Sequence, residues 1–235
     1  MQVMFYSLFF VIFVKIKTIM SNFKYWTRDK LKERFGLERT IKHPILQEWL
    51  SSQAIINDFE KQSLLFGLEA MLLYVDYWNE EEVKLKFIGN LISLTQYDTR
   101  NLSAFADREF SGIVDGEEIS GKPDFMVARG KQEMKAPFFF VHEYKKEVNN
   151  DTQDPAGQLL SAMLVAYEQN LTIPDLKEKP LYGAYVVGRF WFFVILQAKE
   201  YAISLAYDST HEDQLLDIFR ILKANRQLIR EIWGE

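Results

Sequence analysis

Asp124, Glu143 and Lys145 are residue types that metal-assisted phosphodiester hydrolysis requires. That reaction needs acidic oxygens to hold Mg²⁺, a water placed for in-line attack, and positive charge near the negative charge that develops on phosphorus. Glu143 and Lys145 stand two apart at the end of FFFVHEYK, Phe138–Lys145, so on an extended strand they point to one face. One of them can ligand a cation there while the other reaches the water or a phosphate oxygen. Asp124 follows Pro123 on the preceding strand candidate, and a returning connection over Gly130–Pro137 would bring the two carboxylates to one sheet end. Two carboxylates so close repel unless a cation sits between them.

The acid-x-lysine triplet alone is weak, because it recurs at Glu82-Val83-Lys84, Glu133-Met134-Lys135 and Asp175-Leu176-Lys177. The first reads as helical, the second as a polar loop and the third as a Pro-flanked segment. Glu143 instead follows a strand apolar on both faces, where an ionised side chain is costly without a partner or metal. Plainer readings stand beside this one. Asp124 can be a turn residue at a strand start, and Glu143 with Lys145 an edge-strand pair that resists aggregation. His142 has the opposite strand parity and is expected on the other face as a packed or hydrogen-bonded ring.

The elements that must position these residues are partly legible. Asp29–Phe35 reads as a short, peripheral helix stopped by Gly36. Ser51 or Ser52 is a plausible cap for a long helix ending near Tyr77, with Ile55, Ile56, Phe59, Leu64, Leu65, Leu68, Met71, Leu72 and Val75 near a 3.6-residue period. Asn79 with Glu82 forms a capping box opening a helix to about Thr95. A hairpin follows, Leu102–Val114 against Lys122–Arg129 around a turn at Asp115–Glu118, and then the central strand Phe138–Tyr144. After a loop at Asn149–Pro155 come a helix at Ala156–Asn170, strands at Tyr182–Val187 and Trp191–Leu196 around Gly188-Arg189, a further strand at Tyr201–Leu205, and a final helix Glu212–Trp233 introduced by a Ser209–Glu212 capping box. This order predicts an α/β (α+β) fold, a central mixed sheet flanked by helices with an N-terminal helical extension. The expected division is 1–19 as a hydrophobic extension, 20–78 as helices packed on the core, and 79–235 as the α/β core.

Composition sets the bounds. The chain has 235 residues, 48% hydrophobic, enough for one substantial core. A net charge of -5 argues against a basic wrapper of nucleic acid but leaves room for a local basic groove, for which Lys145, Lys146, Arg129, Lys131 and Lys135 are the candidates. With no cysteine there is no disulfide, thiolate nucleophile or thiolate zinc ligand, so oxygen ligands are what the chain offers a metal. The apolar run Val3–Val14 spans 12 residues against the roughly 20 of a membrane helix, and Lys15 and Lys17 follow rather than precede it. Stable membrane insertion is not expected, and a cytoplasmic location is.

Pro123-Asp124, the strand ending in Glu143-Tyr144-Lys145 and a helix carrying Gln158 together resemble the PD-(D/E)xK nuclease superfamily, the restriction-endonuclease-like fold. Asn79–Ile92, NEEEVKLKFIGNLI, is similar to the helix opening this core in the N-terminal nuclease domains of type I restriction enzyme subunits, with Glu80, or its neighbour Glu81, in the place of that helix's glutamate. Leu181–Leu196 looks like the strand, Gly turn and aromatic strand that follow the Gln-bearing helix in the same group. The resemblance implies Mg²⁺-dependent DNA cleavage, with Mn²⁺ a substitute, of the kind used in restriction or defence. It implies Asp124 and Glu143 as metal ligands, the Tyr144 carbonyl as an additional one and Glu80 as an accessory ligand. Lys145 would orient water and stabilise the transition state, and Gln158 would position the core or contact substrate. The bland readings of those last positions are an acidic residue in a helix's first turn and a loop-to-helix tie. Some exonuclease-like members carry tyrosine four residues after this glutamine; here the residue is Ala162, so that subgroup is not implied. DNA is the expected partner, RNA stays open, and a homodimer is compatible. The alternative is a catalytically degenerate module of the same fold that binds nucleic acid or a protein partner.

Overall fold

The computed structural model describes residues 21–145 and 154–233. The apolar run at 3–14, Lys146 and loop residues 149–153 lie outside the described residues. The chain begins with β1 (Ser21–Asn22), α1 (Arg28–Phe35), β2 (Glu38–Arg39), α2 (Pro44–Leu50) and α3 (Asp58–Tyr74). It continues through α4 (Glu80–Val83), a π-helical turn (Lys84–Ile88) and α5 (Gly89–Thr95). The strands β3 (Leu102–Ala106), β4 (Phe110–Val114), β5 (Glu117–Gly121), β6 (Phe125–Arg129) and β7 (Lys135–Lys145) precede α6 (Pro155–Asn170). The chain closes with β8 (Leu181–Val187), β9 (Phe190–Gln197), β10 (Glu200–Ile203), β11 (Tyr207–Asp208) and α7 (Glu212–Trp233).

The fold is mixed α/β, with a central sheet flanked by helices. The main sheet runs β2-β10-β9-β8-β7-β6-β3, with β11 also paired to β9. β7 is antiparallel to β6 and parallel to β8, with α6 in the connection to β8. Its central place explains the apolar run: Phe139, Phe140 and Tyr144 join a core with Trp49, Met71, Leu91 and Phe219, while Phe138 and Val141 join a second core with Leu31, Leu160 and Met163. The phase changes where a β-bulge interrupts pairing between β6 and β7, Val127 facing Phe140 and Ala128 facing Phe138. Among the described residues no helix is long and apolar enough to cross a membrane.

Several expectations are corrected. The long helix is two helices: Pro44 starts α2, and α3 begins only after Asn57, whose Oδ1 accepts from Glu60 N at 2.9 Å while Glu60 Oε2 accepts from Asn57 N at 2.8 Å. This reciprocal cap satisfies helix donors that Ser51 and Ser52 leave alone, and Ile55, Phe59 and Leu72 stay exposed rather than joining the core. The hairpin is also different. β4 pairs with β5 across Asp115-Gly116, both at positive φ, in a small sheet with β1, while β6 pairs with β3 and β7. The first helix is not peripheral, since Leu31, Phe35 and Leu37 are buried in the second core. Residues 20–78 contribute β1 and β2 as well as helices, so they are woven into both sheets. Ser209 does not pair with Glu212; its hydroxyl donates to the Arg189 carbonyl.

The start of α6, which presents Gln158, rests against the segment entering α1. Arg28 donates to the Asp154 carboxylate through its backbone N–H and its Nε at 3.0 and 2.8 Å. A Cβ on Gly157 would lie 2.5 Å from the Trp26 carbonyl oxygen and 2.7 Å from Thr27 Cα. Both are backbone atoms that cannot swing aside. Gly157→Ala is therefore expected to destabilise the chain by about 1–3 kcal/mol. Urea denaturation checks this, and a change under about 0.5 kcal/mol would show that the contact relaxes freely.

Candidate active site

The sheet end beyond β6 and β7 collects the acidic residues. Phe125 pairs with His142 as the last pair of the ladder, so Asp124, just before β6, stands at the sheet end where β7 carries Glu143. Asp124 is tied there from both sides: its backbone carbonyl accepts from Asp107 N at 3.2 Å, and its Oδ2 from Tyr144 N at 2.6 Å. Asp124 and Glu143 are thus brought to one place, as their spacing predicted.

Glu143 and Lys145 share a face, and Lys145 Nζ lies 2.9 Å from Glu143 Oε1. From α6, Gln158 Nε2 donates to the same Oε1 at 2.6 Å. Gln158 is buried, and its own Oε1 has no hydrogen-bond partner among the described residues, an orphan that marks a polar site. Burial, with Asp124 adding to it, pushes the Glu143 carboxyl up to about 8. Burial disfavours the charge on Lys145, but the attraction of Glu143 outweighs it and the pKa is raised, so the side chain stays an ammonium.

The helix before β3 supplies the other wall. The capping box forms as expected, Asn79 Oδ1 accepting from Glu82 N at 2.9 Å and Glu82 Oε2 from Asn79 N at 3.0 Å. It starts α4 so that Glu80 and Glu81 occupy the first turn. Both meet Lys84, whose Nζ lies 2.8 Å from Glu80 Oε1, 3.0 Å from Glu81 Oε1 and 2.7 Å from Asp124 Oδ1. Burial opposes charge on Lys84, but Asp124 first and then the two glutamates raise its pKa well above the ordinary value. Glu80 also helps hold Lys145 charged. Of the two rivals, Glu80 is the more enclosed, its side chain 32% exposed against 80% for Glu81.

Lys84 is the residue that sequence reasoning missed. It belongs to the Glu82-Val83-Lys84 triplet that a helical setting marks as a decoy. The readable signal was a different spacing, a lysine three and four residues after two acids in a helix's first turn. The proposed basic cluster fares worse. Arg129 and Lys135 face each other at the far end of β6 and β7, about 16 Å of strand from Asp124, and Lys131 donates to the Thr99 and Leu102 carbonyls. His142 packs as expected against the rings of Phe140 and Trp191, and burial holds its pKa down near 4, so it is neutral. With Asp124, Lys84 and Tyr144 it lines a cleft of about 590 Å³ walled by Leu85 and Ile92.

No family model matches the chain, and no curated protein matches it.

Whether these residues suit Mg²⁺ is a question of donor type and spacing. Carboxylate oxygens are the ligands a hard divalent cation takes, and Asp124, Glu143 and Glu80 are such donors. Their present spacing is closed around ammonium groups: among the described residues, no three acidic or histidine side chains are set to hold an ion. The ammonium of Lys84 lies within 3.0 Å of three carboxylate oxygens, from Glu80, Glu81 and Asp124. The donor type, though not the present spacing, fits a hard divalent cation.

Proposed function

We propose that the chain is a Mg²⁺-dependent nuclease that hydrolyses DNA phosphodiester bonds through a restriction-endonuclease-like core. The observation that supports this reading is a buried carboxyl, Glu143, held beside Asp124 and sharing its strand face with Lys145. A structural ion pair between Glu143 and Lys145 does not require a second acid beside it. Asp124 and Glu143 would hold the metal, with Glu80 and the Tyr144 carbonyl as further oxygen donors. When bound, the metal polarises phosphoryl oxygens and makes water more acidic. Lys145 orients the attacking water and faces the charge that builds on the phosphate as the water oxygen bonds to phosphorus and the P–O bond to the sugar breaks. Gln158 fixes the Glu143 carboxyl through Oε1, which makes it a positioning residue.

Supercoiled plasmid and a folded RNA, each incubated with the purified chain in Mg²⁺ or Mn²⁺ and in EDTA, test the reading. The plasmid is expected to be nicked only with metal, and Asp124→Ala to slow nicking by at least about 10²-fold. Cleavage of neither substrate with either metal would sink the nuclease and leave the degenerate binding module, for which a gel shift unchanged by Glu143→Ala is the signature.

A further inference from the structure

The three carboxylates of Glu80, Glu81 and Asp124 converge on one ammonium that belongs to the chain itself. We propose that Lys84 is the resident counter-ion of this cluster in the metal-free chain, and that a divalent cation enters by displacing it. The proposal rests on the metal site of the preceding reading, and it adds a competitor for that site.

The geometry carries it in steps. An ammonium has three N–H donors, and Lys84 spends them on oxygens at 2.7, 2.8 and 3.0 Å that come from two elements, the first turn of α4 and the entry to β6. Without a cation these three acids would repel one another, and the side chain that neutralises them is tethered, not free. Lys84 is also able to leave. Its side chain is 24% exposed and lines the cleft beside Asp124, which gives the ammonium a way out and an ion a way in. The backbone at this residue is fixed while the side chain moves: Gly89 N–H reaches the Lys84 carbonyl in the π-helical turn, and Phe87, Ile88 and Leu91 anchor that turn in the core. Lys145 is occupied elsewhere, against Glu143. Exchange of Lys84 for a divalent ion therefore needs only side-chain rotation about a flexible four-carbon stem.

The consequence is a tax on metal affinity. The site accepts an ion only in the fraction of molecules whose Lys84 has swung out, so apparent affinity is lowered by that fraction. Lys84→Met keeps the stem length and removes the charge. The full chain, stripped with EDTA and dialysed, would be titrated with Mg²⁺ and with Mn²⁺ by calorimetry, and its melting temperature followed against metal concentration. Compared with the unaltered chain, Lys84→Met is expected to melt lower without metal, to bind metal at least about tenfold tighter, and to gain more melting temperature at saturation. Lys84→Arg keeps a cation in place and is expected to bind metal no tighter than the unaltered chain. If Lys84→Met fails to fold without metal, recovery of the fold on adding Mg²⁺ or Mn²⁺ supports exchange, and failure with metal present overturns it. Equal or weaker metal binding by Lys84→Met overturns the exchange while leaving a metal-dependent nuclease standing if the unaltered chain binds metal and cuts. Binding by neither protein overturns both.

Discussion

Lys145→Ala is expected to lower Mg²⁺-dependent DNA cleavage by about 10²- to 10⁴-fold while the chain folds as before. The loss has two sources. The first is the ammonium itself, the positive group sharing a strand face with Glu143 at the sheet end, which would otherwise meet charge developing on the phosphate. The second is indirect. Lys145 is among the groups that hold the Glu143 carboxyl down against burial, so removing it pushes that carboxyl higher still and makes it a poorer ligand at neutral pH. Folding is spared for a related reason. A carboxyl already pushed to about 8 takes up a proton instead of staying charged and unpaired, and Gln158 still donates to it. The apolar side chains of β7 that build both cores lie before Glu143 or at Tyr144, and none is altered. Nicking rates set against urea midpoints separate the two effects. Retained cleavage in a folded Lys145→Ala would remove Lys145 from the chemistry.

The site's strand half was open to sequence reasoning because its signal is local. A run apolar on both faces, an acid and a lysine two apart, and a Pro-Asp on the strand before it are all short-range patterns, and the register of β6 with β7 joins them as expected. Local capping chemistry was as readable: Gly36 at positive φ ends α1, and the Asn79–Glu82 box starts α4. What failed was long-range competition. Ser51 and Ser52 are good caps in isolation, but Asn57 wins because Glu60 completes a reciprocal box and its carboxylate also accepts from Lys223 of α7 at 2.8 Å. β4 and β5 form a sheet of their own with β1 because Phe110, Val114 and Ile119 find burial beside Phe23, some 90 residues earlier in the chain, and Val165, some 50 later. Distance in sequence misleads in both directions: strand direction carries Arg129, near the motif in sequence, away from it, while a helix brings in Lys84, which its helical setting marks as a decoy.

Glu143 also makes stability depend on pH in a direction opposite to that of most carboxylates. Its pKa moves from the ordinary 4.5 in the unfolded chain to about 8 in the folded one, because burial and then Asp124 disfavour the anion. Between those values the folded state holds a proton that the unfolded state has released. Stability contributed by this group is therefore complete below pH about 4.5 and is lost as pH rises towards about 8, with a slope approaching about 1.4 kcal/mol per pH unit. The expected result is that the metal-free chain weakens between pH 5.5 and 8.5 more steeply than Glu143→Gln, whose amide cannot ionise. Urea midpoints across this range measure it, and because both proteins carry the same histidines, only the difference between their slopes reports on Glu143. Saturating Mg²⁺ should flatten the slope of the unaltered chain alone, since a cation beside the carboxylate favours the anion in the folded state. Two parallel slopes without metal would mean that Glu143 is solvated or paired well enough to ionise normally. In that case its burial would no longer call for a cation, and the strongest physical support for the metal reading would be gone.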